Sequence, residues 1–170
     1  PLRTHRTRVG LFKQNRLIKQ VDVTYSLAST EVKEFIGADC PDLVYPNVGD
    51  FDYVKVQLDD KSLATIQKSQ INDDFLRAMS WISLWDMTRD AKYSLIDFVD
   101  YSLNKLASEK NSALQEKMAK ILAGQAYEYL AFFSPSKQRE IEIFMWQQLR
   151  NAPAKSDQQA LWFDLILQTD

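Results

Sequence analysis

The chain holds one histidine, His5, and one cysteine, Cys40, so any mechanism that needs an imidazole or a thiolate must run through one of these two side chains. His5 sits in the basic run Arg3-Thr4-His5-Arg6-Thr7-Arg8 at the start of the chain. Neighbouring cations disfavour its protonated form, and a solvated strand end accounts for it more simply than a Ser-His-Asp or Cys-His arrangement. Cys40 precedes Pro41 in a turn-like stretch and reads as a small, semi-buried residue without a catalytic role. One histidine and one cysteine, far apart in sequence, cannot supply a usual zinc ligand set. Gly10, Gly37, Gly49 and Gly124 are scattered, and none begins a phosphate-binding loop or a dinucleotide fingerprint. The carboxylate pairs Asp86 with Asp90 and Asp97 with Asp100 share helical faces, where solvation or pairing with Arg89 and Lys92 is the simpler role. Neither a metal nor a cofactor is expected in this chain.

The elements that must position these residues fall into two kinds. Up to Asp59 the chain has short β-branched and aromatic runs: Thr7 to Lys13, Leu17 to Leu27, Glu31 to Ile36, Asp42 to Tyr45 and Tyr53 to Leu58. Val54-Lys55-Val56-Gln57-Leu58 alternates apolar with polar, and turn formers such as Pro46-Asn47-Val48-Gly49-Asp50 separate the runs. This half predicts antiparallel strands. After Asp60 the spacing becomes helical, as in Leu95, Phe98, Val99, Ser102, Leu103, Leu106 and in Leu114, Met118, Ile121, Leu122, Gln125, Tyr129. Ile141, Phe144, Met145, Gln148 and Leu149 repeat the pattern. Starts are marked by Asn72 or Asp73, by Ser94, by a capping box of Ser112 with Gln115, by Ser134-Pro135 and by Ser156. About six helices with short connections predict antiparallel hairpins stacked in a HEAT-like array. The fold class is therefore α+β: a short antiparallel β-sandwich portion over residues 1–59, then a helical array over 60–170.

Composition narrows function. A hydrophobic content of 45% in 170 residues is enough for a buried core, in one compact domain or two small ones. With 21 basic against 23 acidic residues and a pI near 5.5, no overall field draws the chain to nucleic acid or to an anionic membrane. The basic cluster of Arg3, Arg6, Arg8, Lys13 and Arg16 reads as a solvated or domain-contacting sheet face. No apolar run approaches the ~20 residues of a membrane span, and the single cysteine suits a reducing cytoplasm. The chain begins almost directly in a strand, and its last helix, with Leu161, Leu165 and Ile166, lacks a polar capping face. These ends suggest a piece of a longer protein. In such a piece an unpaired sheet edge would be open to pairing with a second copy.

Several motifs occur in a recognisable order. The run Pro46 to Asp59, PNVGDFDYVKVQLD, followed by Lys61-Ser62-Leu63 and then by RAMSWISLWDMTRD at Arg77 to Asp90, resembles the C-terminal region of the aminopeptidase N family of zinc metallopeptidases, with bacterial members as the closest type. His5 to Phe12 and Gly37 to Asn47 resemble the end of that family's β-sandwich domain, and Ala154 to Gln159 resembles a later turn of its helical domain.

The resemblance implies a parent hydrolase that removes amino-terminal residues from peptides. It would be built from a saddle-like β domain, a thermolysin-like catalytic domain, a β-sandwich and a helical cap. In that family an H-E-x-x-H helix with a distant glutamate holds zinc, and a G-x-M-E-N type strand holds the substrate's free amine. Neither motif occurs here, so no catalytic or zinc-binding residue carries over. The expected role is to shape and close the chamber, with the parent's own catalytic domain as partner, its peptide as substrate, and Arg77, Trp81, Trp85 and Arg89 as the chamber candidates. The tryptophans at i, i+4 are otherwise a packing ridge, and either arginine would pair with a carboxylate on its helix face. The alternative is a free-standing helical-repeat module that binds a partner peptide in a concave surface.

Overall fold

The alternating runs nearest the amino terminus pair first. In the computed structural model, which describes residues 3–169, β1 (His5–Lys13) and β2 (Arg16–Tyr25) form an antiparallel hairpin, with His5 opposite Tyr25 and Lys13 opposite Arg16. Gln14 and Asn15 form its two-residue turn, both with positive φ as a type I′ turn demands. β3 (Leu43–Pro46) pairs antiparallel with the other side of β1, so the order is β2-β1-β3. Gly10 is required at the centre of β1, since a Cβ there would lie 2.7 Å from the Val48 side chain.

Two expected strands do not form. Within Glu31 to Ile36 the chain makes a 3-10 turn, Lys33–Phe35, with Ile36 74% exposed, so its apolar residues find no sheet to cover. Tyr53 to Leu58 keeps the expected alternation at its end, with Val56 and Leu58 buried and Gln57 exposed, yet it joins no ladder among the described residues. Alternation reports which face is buried and says nothing of a hydrogen-bonding neighbour.

The switch of period near residue 60 coincides with a helix start. The Asp59 carboxylate accepts from the backbone N–H groups of Lys61 and Ser62 and opens α1 (Asp60–Lys68). Asp73 does the same for α2 (Asp74–Arg89) through the Leu76 N–H. Both helices belong with the sheet. The Val44 N–H donates to Ser62 Oγ, and the buried Tyr45 hydroxyl donates to the Met79 carbonyl and bonds Ser83 Oγ at 2.8 Å. Contacts group residues up to Arg89 into one compact unit and those from Asp90 onward into a second. The compact units thus divide one helix pair later than the change in sequence period.

The regular elements of the second unit's described residues are all helices: α3 (Leu95–Leu106), α4 (Ser112–Ile121), α5 (Tyr127–Leu130), α6 (Pro135–Asn151) and α7 (Asp157–Thr169). Ser94 caps α3, Pro135 occupies the first turn of α6, and Ser156 Oγ accepts from Gln159 ahead of α7. The expected capping box at Ser112 is replaced by Asn111, whose side chain accepts from the Leu114 N–H and satisfies the same orphan donors. A π-helical turn, Leu122–Ala126, joins α4 to α5 around Gly124. The extra residue of an i→i+5 turn rephases the helix. Leu114, Met118, Leu122, Ala126 and Leu130 therefore form the buried stripe, while Gln125 and Tyr129, expected on it, are exposed. Phe98, Leu106, Ile141, Met145 and Trp162 complete this core, and Trp162 meets Phe144 edge-on with centroids 5.8 Å apart.

Candidate functional site

The four chamber candidates all lie on α2, three or four residues apart, and the helix treats them differently. Arg77 is turned back on the segment that leads into its own helix, donating to the carbonyls of Ile71 and Asn72 at 2.9 and 3.0 Å and to the Asp74 carboxylate at 2.8 Å. Trp81 and Trp85 are buried at 2% and 6% exposure. Arg89 stands half exposed beside Asp86, with a loose 3.8 Å ion pair. Of the four, Arg89 alone combines exposure with charge.

A denser polar cluster forms around Asn47 and Asp52, with no local sign of it in the residue pattern. Pro46-Asn47-Val48-Gly49-Asp50 turns through three left-handed residues, Asn47, Gly49 and Asp50, types that tolerate positive φ. Asn47 is 1% exposed, and its amide organises the loop. Its oxygen accepts from the Asp52 N–H at 2.7 Å and from Thr7 Oγ1 at 3.3 Å, and its nitrogen donates to the Asp52 carbonyl at 2.8 Å. That grip delivers the Asp52 carboxylate to the hairpin end, where Tyr25 donates to it at 2.9 Å and His5 Nδ1 lies 3.2 Å away. His5 also stacks on Tyr25, with centroids 5.4 Å apart. His5 is thus a docked, part-buried residue rather than a solvated strand end.

The electrostatics follow from this docking. Burial works to raise the Asp52 carboxyl, but bonds from His5 and Tyr25 outweigh it and hold the group below the usual carboxylate range. Burial and the adjacent Asp52 push the Tyr25 phenol up, so it remains a proton donor to the carboxylate. The basic cluster is consumed nearby. Arg8 and Arg6 both bind Asp22, which they hold low, and both stand over the Phe51 ring, Arg8 at 4.6 Å. Lys13 pairs with Asp39. These bonds clamp the loop to the hairpin, and none of them presents an activated nucleophile.

The other reactive candidates resolve simply. Cys40 is exposed rather than semi-buried, with Lys61 Nζ 3.4 Å from its sulfur. Asp86 pairs with Arg89, and Asp100 with Lys137. Among the described residues no group of three or more His, Cys, Asp or Glu stands close enough to hold a metal ion. The donor set does not fit zinc, since His5 is committed to Asp52 and Cys40 lies in a different loop. No helix among the described residues is long and apolar enough to cross a membrane.

The loop cluster could be anticipated only in part. Asn47, Gly49 and Asp50 are turn-forming types, but nothing in the sequence pairs Asp52 with His5, 47 residues away. No family model matches the chain. Over 173 aligned residues it is 28% identical to aminopeptidase N of Streptomyces lividans, an alignment that covers 95% of this chain. The chain spans about a fifth of that relative's length, 20%. It is thus related to part of an aminopeptidase N.

Proposed function

We propose that this chain is a non-catalytic segment from the C-terminal region of an aminopeptidase N-like zinc peptidase, where it shapes and closes the chamber that receives the peptide. The observation that carries this reading is similarity along 95% of the chain to only 20% of an aminopeptidase N. The order of the PNVGDFDYVKVQLD and RAMSWISLWDMTRD motifs supports it, and so does the absence of H-E-x-x-H from the sequence. In this reading residues 1–59 are the late strands of a β-sandwich and 60–170 the opening of a HEAT-like helical cap. The parent holds zinc and hydrolyses amino-terminal residues elsewhere in its chain, in the cytoplasm. Arg89 is the chamber candidate best suited to meet a peptide, while Arg77, Trp81 and Trp85 support the helix that carries it.

The test is an assay of the 170-residue chain with an aminoacyl chromogenic substrate and added zinc. No turnover is expected, and robust turnover would overturn the assignment. A reading frame that also encodes H-E-x-x-H upstream supports the parent enzyme. A frame confined to these 170 residues favours the second reading, a helical-repeat module that binds a partner peptide. The observation in favour of that module is the set of apolar side chains exposed on the second unit, Phe132, Phe133, Trp146, Phe163 and Leu167 among them. β2 lies at an edge of the described sheet, which supports pairing with a second copy of the isolated chain. Sedimentation velocity decides this, a concentration-independent monomer counting against it.

A further inference from the structure

Within the first unit a cavity of about 240 Å³ opens between the end of the hairpin, the turn at Val48 and Gly49, and the start of α2. Its walls are apolar: Phe12, Tyr45 and Met79 are buried, and Leu17 and Phe75 form a lip at 49% and 50% exposure. Tyr45 contributes only its ring, because its hydroxyl is committed to the Met79 carbonyl and Ser83. Two polar side chains also line the space, Asn15 and Asp73. Asn15 donates one N–H of its amide to the Gln70 carbonyl at 2.9 Å, and Asp73 accepts from the Leu76 N–H with one carboxylate oxygen at 2.7 Å. What remains is the second oxygen of Asp73 and, on Asn15, a carbonyl oxygen and a second N–H. An occupant that complements the site has an apolar body and an N–H donor for Asp73.

We infer that this cavity is a binding site for a small apolar ammonium molecule, its body against Phe75 and Met79 and its charge on Asp73. The volume lies below the ~300 Å³ at which drug-sized sites begin, which suits a single ring with a short arm. A carboxylate ligand is disfavoured by Asp73 itself, and a neutral apolar ligand gains nothing from its charge. The positive end of the α2 dipole, roughly half a charge, works against the cation. Asp73 exceeds it, and the neighbouring Asp74 is balanced by Arg77. Binding is therefore expected to be weak and selective rather than tight. This inference stands on the cavity alone and is independent of the peptidase reading.

The test uses the 170-residue chain with methyl-labelled Met and Leu, titrated with phenethylammonium, 2-phenylethanol and 3-phenylpropionate. Phenethylammonium shifts the Met79 and Leu76 signals saturably, about fivefold to tenfold more tightly than the alcohol, the range of one charge-assisted contact at a half-open site. The propionate leaves them unmoved. Asp73→Ser keeps an oxygen that caps α2 while removing the charge, so it erases the preference for amine over alcohol. Phe75→Ala, at an exposed lip, weakens both ligands together. Equal binding of all three molecules to the unaltered chain, no saturable shift at Met79 and Leu76, or an amine preference that survives Asp73→Ser would each overturn the inference.

Discussion

The two compact units keep their shape by different means. Up to Arg89 the chain depends on side chains that answer backbone groups. Asn47 holds both backbone groups of Asp52, Asp59 and Asp73 cap their helices, Ser62 receives the Val44 N–H, and Tyr45 bonds the α2 backbone. From Asp90 onward the helices satisfy their own backbones, and what remains is the burial of large apolar side chains such as Phe98, Met118, Ile141 and Trp162. A short sheet with few paired strands leaves many backbone groups for side chains to satisfy, and a helical array leaves few. Polar substitutions should therefore damage the first unit most, and apolar truncations the second.

The largest expected effect lies in the second unit. Trp162→Ala removes a fully buried ring that meets Phe144 edge-on, and it should cost about 3–5 kcal/mol. Amide hydrogen exchange, read residue by residue, should show the loss across α3 to α7. Protection lost equally in β1 would erase the contrast between the units. In the first unit, Asn47→Gly keeps the left-handed backbone while deleting three hydrogen bonds to Thr7 and Asp52, and should cost about 1–3 kcal/mol. Asn47→Ala adds the left-handed penalty, roughly 1 kcal/mol more. Urea titration of the two variants separates these contributions, and equal midpoints would remove the backbone share. Asp59→Ala should cost about 1 kcal/mol by uncapping α1, and Asp59→Ser should recover most of it.

The same difference decides what could be read from the sequence. The second unit was legible because its stabilising residues repeat at the period of the helix, and four of its helix starts carry a residue that caps or opens them. Where the buried stripe departs from expectation, the cause is local. Gln125 and Tyr129 obey the 3.6-residue period, and the π turn at Gly124, invisible to a periodicity argument, moves the stripe to Ala126 and Leu130. In the first unit the hairpin and β3 were legible from alternation and turn residues, whereas Glu31 to Ile36 and Tyr53 to Leu58 look like strands without a partner to make them so. The Asp52 cluster was illegible because it joins residues 27 and 47 positions apart, through a loop whose path depends on one buried amide. Trp81 and Trp85 read first as a packing ridge and second as a cavity wall, and the burial of both agrees with the ridge.

The smallest expected effect is a pH response of opposite sign in the two units. Asp52 and Asp59 have carboxyls held below their ordinary range, in each case by bonds to the ionised form that outweigh burial: His5 and Tyr25 for Asp52, Ser62 and the Lys61 N–H for Asp59. A lowered carboxyl lends stability at pH values above its unfolded value, and that contribution disappears as pH falls through the folded one. Lys137 is the converse case. Asp100 and then Glu140 raise its ammonium above the usual lysine range, so its contribution is complete below the unfolded lysine value and is lost as pH rises through the folded one. Acid should therefore loosen the Asn47 to Asp52 loop and the start of α1 first, while alkali should loosen the contact between α3 and α6. None of the three groups is fully buried, so screening keeps each effect small. Two-dimensional NMR at acid and alkaline extremes reads both ends of the comparison at once. Loss of the Lys137 contact in acid before the Asp52 loop opens would reverse the assignment, and high salt should flatten the alkaline response.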